Sequence, residues 1–151
     1  MDPEAQSYVD ALHNLWEQAR QALKDLPPQA LDWKPLPKDT NSPAVIATHM
    51  CGSMAFGVYQ SLTGVDVRRQ RDAEFRATAQ TAADLLALID KAEAQCREAL
   101  GRASPSALGE TFAPPGRDPM SRRGWLQRSL THLGTHVGHL QLTRQLWEAQ
   151  K

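Results

Sequence analysis

Apolar residues recur every three or four positions in four stretches of the chain, and no stretch alternates as a half-buried strand would, so the pattern predicts four helices. In the first, Asp2 before Pro3 reads as a cap with proline at the first helical position. Tyr8, Leu12, Leu15, Ala19, Ala22 and Leu26 form its stripe, which Pro27 and Pro28 end. The second opens with the same signature at Ser42 and Pro43 and turns Val45, Ile46, His49, Ser53 and Phe56 inward. It runs to about Gly64, a residue suited to the left-handed position past a helix end. The third starts near Thr78 or Thr81, either of which can cap it, and buries Ala82, Leu85, Leu86, Ile89, Ala92, Cys96 and Leu100 before ending at Gly101. Ser121 caps the fourth, which carries Leu126, Leu130, Leu133, Val137 and Leu140 on one stripe and can run to the end of the chain.

The segments between the helices decide how they assemble. PPQALDWKPLPKDTN holds four prolines and no sustained period, which predicts an irregular crossover with Trp33 pinning it to the core. SPSALGETFAPPGRDP predicts a second long loop before the last helix. The expected fold is therefore all-α, an antiparallel four-helix bundle with long connections between helices 1 and 2 and between helices 3 and 4. At 151 residues the chain is expected to form one domain, 1–151, burying about two thirds of the surface its unfolded form exposes.

Composition narrows the function classes. Seventeen basic and seventeen acidic residues cancel, and RRQR is short and flanked by Asp66 and Asp72, so nucleic acid is not an expected partner. No apolar run approaches the length of a membrane span, and MDPEAQSY is acidic and polar where an export signal is basic and then apolar. The expectation is a cytoplasmic protein with no membrane association. Cys51 and Cys96 do not amount to a disulfide scaffold and are expected to pack as small hydrophobes.

The candidate chemistry lies in THLGTHVGHLQ, which places His132, His136 and His139 within about 60° of one another around a helix axis. They sit beside the leucine stripe, on a face shared with Trp125, Ser129, Thr143 and Leu146. Histidines four apart project from adjacent turns, and their nitrogens can both reach one ion at about 2.0–2.1 Å. His49, on an apolar stripe, needs a partner and is the natural third ligand from another helix. Three protein ligands leave an ion with open positions, the arrangement of catalytic rather than structural zinc. Imidazole binds metal only when deprotonated, so release is expected as pH falls toward and below about 6.5. His13 has no evident partner and is expected on the solvated surface.

ALDWKPLPKDTNSPAVIATHM, followed much later by MSRRGWLQRSLTHLGTHVGHLQLTRQLW, resembles the DinB-like (DinB/YfiT) superfamily of metal-binding four-helix bundles. The L-x-W-x-P element corresponds to Leu31, Trp33 and Pro35, leading to Ser42 and His49. The second element corresponds to Met120, Ser121, His132, His136 and Gly138. The resemblance implies a divalent metal ion (zinc, nickel, manganese or iron) held by His49, His132 and His136. It also implies a small-molecule substrate or a low-molecular-weight thiol as reaction partner, and pairing as a homodimer.

Where the family carries glutamine this chain has His139. Because His132 and His139 are about 10.5 Å apart along a straight helix, one ion can hardly take both along with His136. The roles open to His139 are a fourth ligand, a group beside the ligands that orients a bound water or lines the cavity, a general base, or a neutral polar stand-in for glutamine, and the second is the expected one.

The leading functional expectation is a metal-dependent enzyme, a thiol S-transferase or hydrolase acting on a small electrophile. A non-catalytic metal- or ligand-binding protein of stress responses is the alternative. A third is a structural bundle whose histidines are satisfied core groups.

Overall fold

In the computed structural model, which describes residues 1–150, each cap legible in the sequence starts a helix. The Asp2 carboxylate accepts from the backbone N–H groups of Glu4 and Ala5 and starts α1, Pro3–Leu23. The helix stops short of the prolines because Asp25 turns left-handed at φ 59°, although Leu26 beyond it is still buried. One helical turn, α2 (Pro28–Leu31), interrupts the crossover that was expected to be irregular, with Pro28 at its first position. Trp33 then meets Trp147 edge-on at 5.6 Å and pins the crossover to the last helix.

Ser42 Oγ accepts from the Val45 N–H and opens α3, Pro43–Met54. The second predicted helix is continuous to Gly64, which does take the left-handed conformation at φ 74°, but its turns are not uniform. Ala55–Gln60 widens into a π-helical segment before α4, Ser61–Thr63. Apolar spacing cannot reveal such a turn, which holds one extra residue without shifting the helix on either side. A short α5, Arg71–Glu74, follows in the next connection.

Thr81 rather than Thr78 caps α6, Ala82–Arg102. Its hydroxyl accepts from the Asp84 N–H while the Asp84 carboxylate accepts from the Thr81 N–H. The helix passes through Gly101, where an end was expected, to Arg102. The following loop contains α7, Pro105–Gly109, and a minimal antiparallel ladder of β1, Thr111–Phe112, with β2, Met120–Ser121. Two pairs of residues are too few for alternation to show in the sequence. Ser121 Oγ then caps α8, Arg122–Glu148, through the Gly124 N–H.

The long helices form a ring in which α1 and α3 each pack against both α6 and α8. Cross-helix contacts give their directions. Arg123 pairs with Glu4, and Arg144 donates to the carbonyls of Gln21, Ala22 and Lys24, so α8 runs parallel to α1. Arg20 pairs with Asp90 and Glu93 while Gly101 lies against Met1, so α6 runs antiparallel to α1. His49 meets His132 and the Ser61 carbonyl meets Arg122, so α3 runs antiparallel to α8 and therefore parallel to α6.

The all-α expectation holds, with neighbours of mixed direction. The two predicted long connections join helices that sit diagonally in the ring. A third, residues 64–81, must return along the bundle because α3 and α6 point the same way, and it carries α5 past the middle of α3. The core between the helices is closed by Trp16, Met50, Met54, Ile89, Leu133 and Leu140, all without exposed surface. Among the described residues no helix is long and apolar enough to cross a membrane.

Candidate metal centre

His49 on α3 and His132 and His136 on α8 meet where the two antiparallel helices cross, and one nitrogen of each lies within 4.8 Å of the others. The His132 Nε2 is 3.3 Å from the His49 Nε2 and 3.2 Å from the His136 Nε2. Two nitrogens bound to one ion at about 2.0–2.1 Å with tetrahedral angles stand roughly 3.3 Å apart, so the spacing fits a chelate.

The remaining ring nitrogens fix the orientation. His49 is 4 % exposed, and its Nδ1 lies 3.0 Å from Oε1 of Glu74, a carboxylate 6 % exposed on α5. Nδ1–H is the donor there, which leaves the Nε2 lone pair facing the cluster. Burial raises the carboxyl pKa of Glu74, but the two bonds from Arg69 (2.8 Å each) and the one from His49 outweigh it, holding the group below the ordinary range. Glu74 is thus an anion even though it is buried.

Ser53, one turn after His49, sits 3.2 Å from the His132 Nδ1. His136 Nδ1 is buried without a partner. Hydrogen bonds within the group therefore do not satisfy every one of its nitrogens.

Added protons are disfavoured. Burial first, and then the neighbouring His49 and the Arg69, Arg128 and Arg71 guanidinium groups, lower the His132 pKa to about 4. Burial, followed by His132, His49 and His139, lowers that of His136 to about 4. Both imidazoles therefore stay neutral and able to ligate well below the pH 6.5 expected from ordinary histidine. Three converging imidazole nitrogens, with a carboxylate and a hydroxyl fixing two of the rings, form a group that could hold a metal ion.

Glycine makes two of these approaches possible. A Cβ on Gly52 would stand 2.0 Å from Glu74 Oε2, so α5 can bring its carboxylate against α3 only because Gly52 lacks one. A Cβ on Gly57, in the π-helical segment, would stand 2.1 Å from the Ser129 Oγ.

His139 lies outside the group. It is exposed, with its ring 5.3 Å from that of His136, and it lines a different cavity from His132. On one side of the histidines a cavity of about 380 Å³ is bounded by His49, His132, Trp125, Ser129 and four arginines. On the other a cavity of about 640 Å³ is bounded by His136, His139, Trp33, Ile46, Leu142 and Leu146. The helix face read from the sequence is real, but the two cavities divide it between them.

Sequence reasoning missed Glu74, Arg69 and the other cavity arginines. Arg69 and Arg71 were visible only as the charge run RRQR, and nothing in DAEF marks Glu74 as buried. His13 also differs from expectation. It is exposed, but its Nδ1 contacts Glu93 at 2.6 Å, and Glu93 also pairs with Arg20. Cys51, half-buried, and Cys96, buried, are free thiols whose pKa burial pushes up to about 12.

The DinB superfamily model matches residues 11–140, and the chain belongs to that superfamily. Among solved structures, a conserved protein from Enterococcus faecalis superposes with a TM-score of 0.77 at 13% identity, covering 97% of each chain. A DinB-like protein from Bacillus cereus gives 0.71 at 19% identity, over 91% of this chain and 89% of that one. A mycothiol-dependent maleylpyruvate isomerase gives 0.68 at 12% identity, with 90% of this chain covering only 60% of the isomerase. No curated protein matches the chain in sequence.

Proposed function

We propose that His49, His132 and His136 bind one divalent metal ion and that the protein is a metal-dependent enzyme acting on a small electrophilic molecule, by thiol transfer or by hydrolysis. The observation that carries this reading is the convergence of three imidazoles beside an open cavity. A bound ion would supply Lewis acidity, lowering the pKa of a coordinated thiol or water. The chain's own part is positional. Glu74 and Ser53 hold His49 and His132 in register, and the walls of Phe56 and Trp125 limit water around the reacting group.

Among the described residues no cysteine lines this cavity. Cys51 is held protonated and lies beside a different hollow, near Leu88, so a thiol reaction would draw on a low-molecular-weight thiol from solution. The structural neighbour named for its dependence on mycothiol supports the thiol branch. His139 is assigned to the wall of the apolar cavity, away from proton transfer beside His132.

Metal analysis of protein purified without an affinity tag tests the reading. The expected result is one equivalent of metal, or of added Zn²⁺, with a rise in Tm. No stoichiometric metal and no thermal shift with Zn²⁺, Ni²⁺, Mn²⁺ or Fe²⁺ would overturn it.

A further inference from the structure

The cavity on the His49 and His132 side contains an arrangement that metal binding does not require. Arg71 on α5, Arg117 in the loop between β1 and β2, and Arg128 on α8 come from three separate parts of the chain to line it. Each is held against an aromatic ring, Arg71 over Phe75 at 4.8 Å, Arg117 over Phe56 at 5.6 Å and Arg128 over Trp125 at 5.6 Å. Stacking orients a planar guanidinium and leaves both its charge and its N–H edge available.

None of the three has a carboxylate partner among the described residues, whereas Arg69 beside them is neutralised by Glu74. No aspartate or glutamate lines the cavity, in a chain whose charges cancel overall. Gathering three uncompensated guanidinium groups around one hollow is repulsive, and an anion entering it relieves that repulsion. At about 380 Å³ the space suits a small molecule, and His49 and His132 form part of its wall.

We propose that this cavity selects a small organic anion, anchoring a carboxylate or phosphate on Arg71, Arg117 and Arg128 while the rest of the molecule reaches the histidine group. The assignment names the substrate class of the metal-dependent reaction proposed above and rests on that reading for its catalytic meaning. The anion belongs either to the electrophile or to the thiol.

Calorimetric titration with succinate, mercaptosuccinate and the neutral succinamide, on metal-free and zinc-loaded protein, tests it. Both anions are expected to bind the metal-free protein, at least about tenfold tighter than succinamide, and to weaken about tenfold or more in Arg117→Gln/Arg128→Gln. Arg71→Gln provides an independent second variant, and circular dichroism with metal stoichiometry confirms that each variant folds. Mercaptosuccinate that surpasses succinate only after zinc loading assigns the anion to the thiol. Equal affinities in both states assign it to the electrophile. Succinamide binding as well as succinate, or anion binding unchanged in both folded variants, overturns the proposal. Because the metal-free titration stands whether or not zinc binds, failure of the metal reading is seen separately in the stoichiometry.

Discussion

The two cavities flanking the histidine group share a helix but have opposite chemistries. On the His132 side α8 contributes Trp125, Arg128 and Ser129 to a charged hollow; one to four turns later it contributes His136, His139, Leu142 and Leu146 to a larger apolar one. The difference arises from what covers α8. The 64–81 connection and the β1–β2 loop bring arginines to the first half, while the crossover after α2 lays Trp33, Pro35 and Leu36 over the second. The histidines thus form a shared wall, and chemistry that needs charge is separated from apolar contact by one turn of helix.

The strongest test of that shared wall removes it. His132→Ala, which deletes the central nitrogen, is expected to lower metal affinity by at least about a hundredfold and abolish any metal-induced rise in Tm, read by metal analysis and thermal unfolding. Retained stoichiometric metal would place the ion elsewhere.

A smaller loss is expected when only the support on the charged side is cut. Glu74→Gln should cost about 10–100-fold in metal affinity, because His49 loses the anion that orients it. Gly52→Ala should act in the same direction by displacing that carboxylate. Equal affinity in both variants and the parent would mean that Glu74 is only a partner for Arg69.

Acid should weaken the metal-free protein. His132 and His136 ionise at about 4 when folded and near 6.5 when unfolded, so between these values the unfolded chain binds more protons. Their contribution is complete above about pH 6.5 and is lost as pH falls toward 4. A Tm drop of about 5 °C between pH 7 and 5 is expected, above the range where the depressed Glu74 takes up its proton. A flat profile over that interval would place these imidazoles in water.

The least effect on the metal is expected from the apolar side. His139→Gln should keep metal stoichiometry and shift affinity by less than about threefold, since its ring lines the other cavity. A tenfold loss, measured by competition with a chelator, would draw His139 into the metal group.

Much of the fold and the three central histidines were legible because they follow local rules. Caps at Asp2, Ser42 and Ser121 are side-chain bonds to nearby N–H groups, and a pair of histidines four apart shares a helix face whatever surrounds it. His49 stood out as a polar residue on an apolar stripe. Helix direction was not legible, because apolar spacing describes each helix alone and carries no sign for its neighbours. Glu74 was hidden for a related reason. Its burial depends on Gly52 twenty-two positions earlier and on Arg69 arriving with it, a meeting that the apolar spacing of α3 does not signal. Arg71 showed in the sequence only as part of the short run RRQR, since only the folded connection turns it toward the cavity.

The widened turn at Ala55–Gln60 separates two evolutionary freedoms. It lies between His49, which faces the histidine group, and Ser61, whose carbonyl anchors Arg122 at the start of α8. Losing one residue there would tighten the turn without shifting either anchor in register, and would redirect Phe56 and Gly57 along the cavity wall. A lineage could therefore remodel what the hollow admits through a change in length, while the residues that gather the three imidazoles stay untouched.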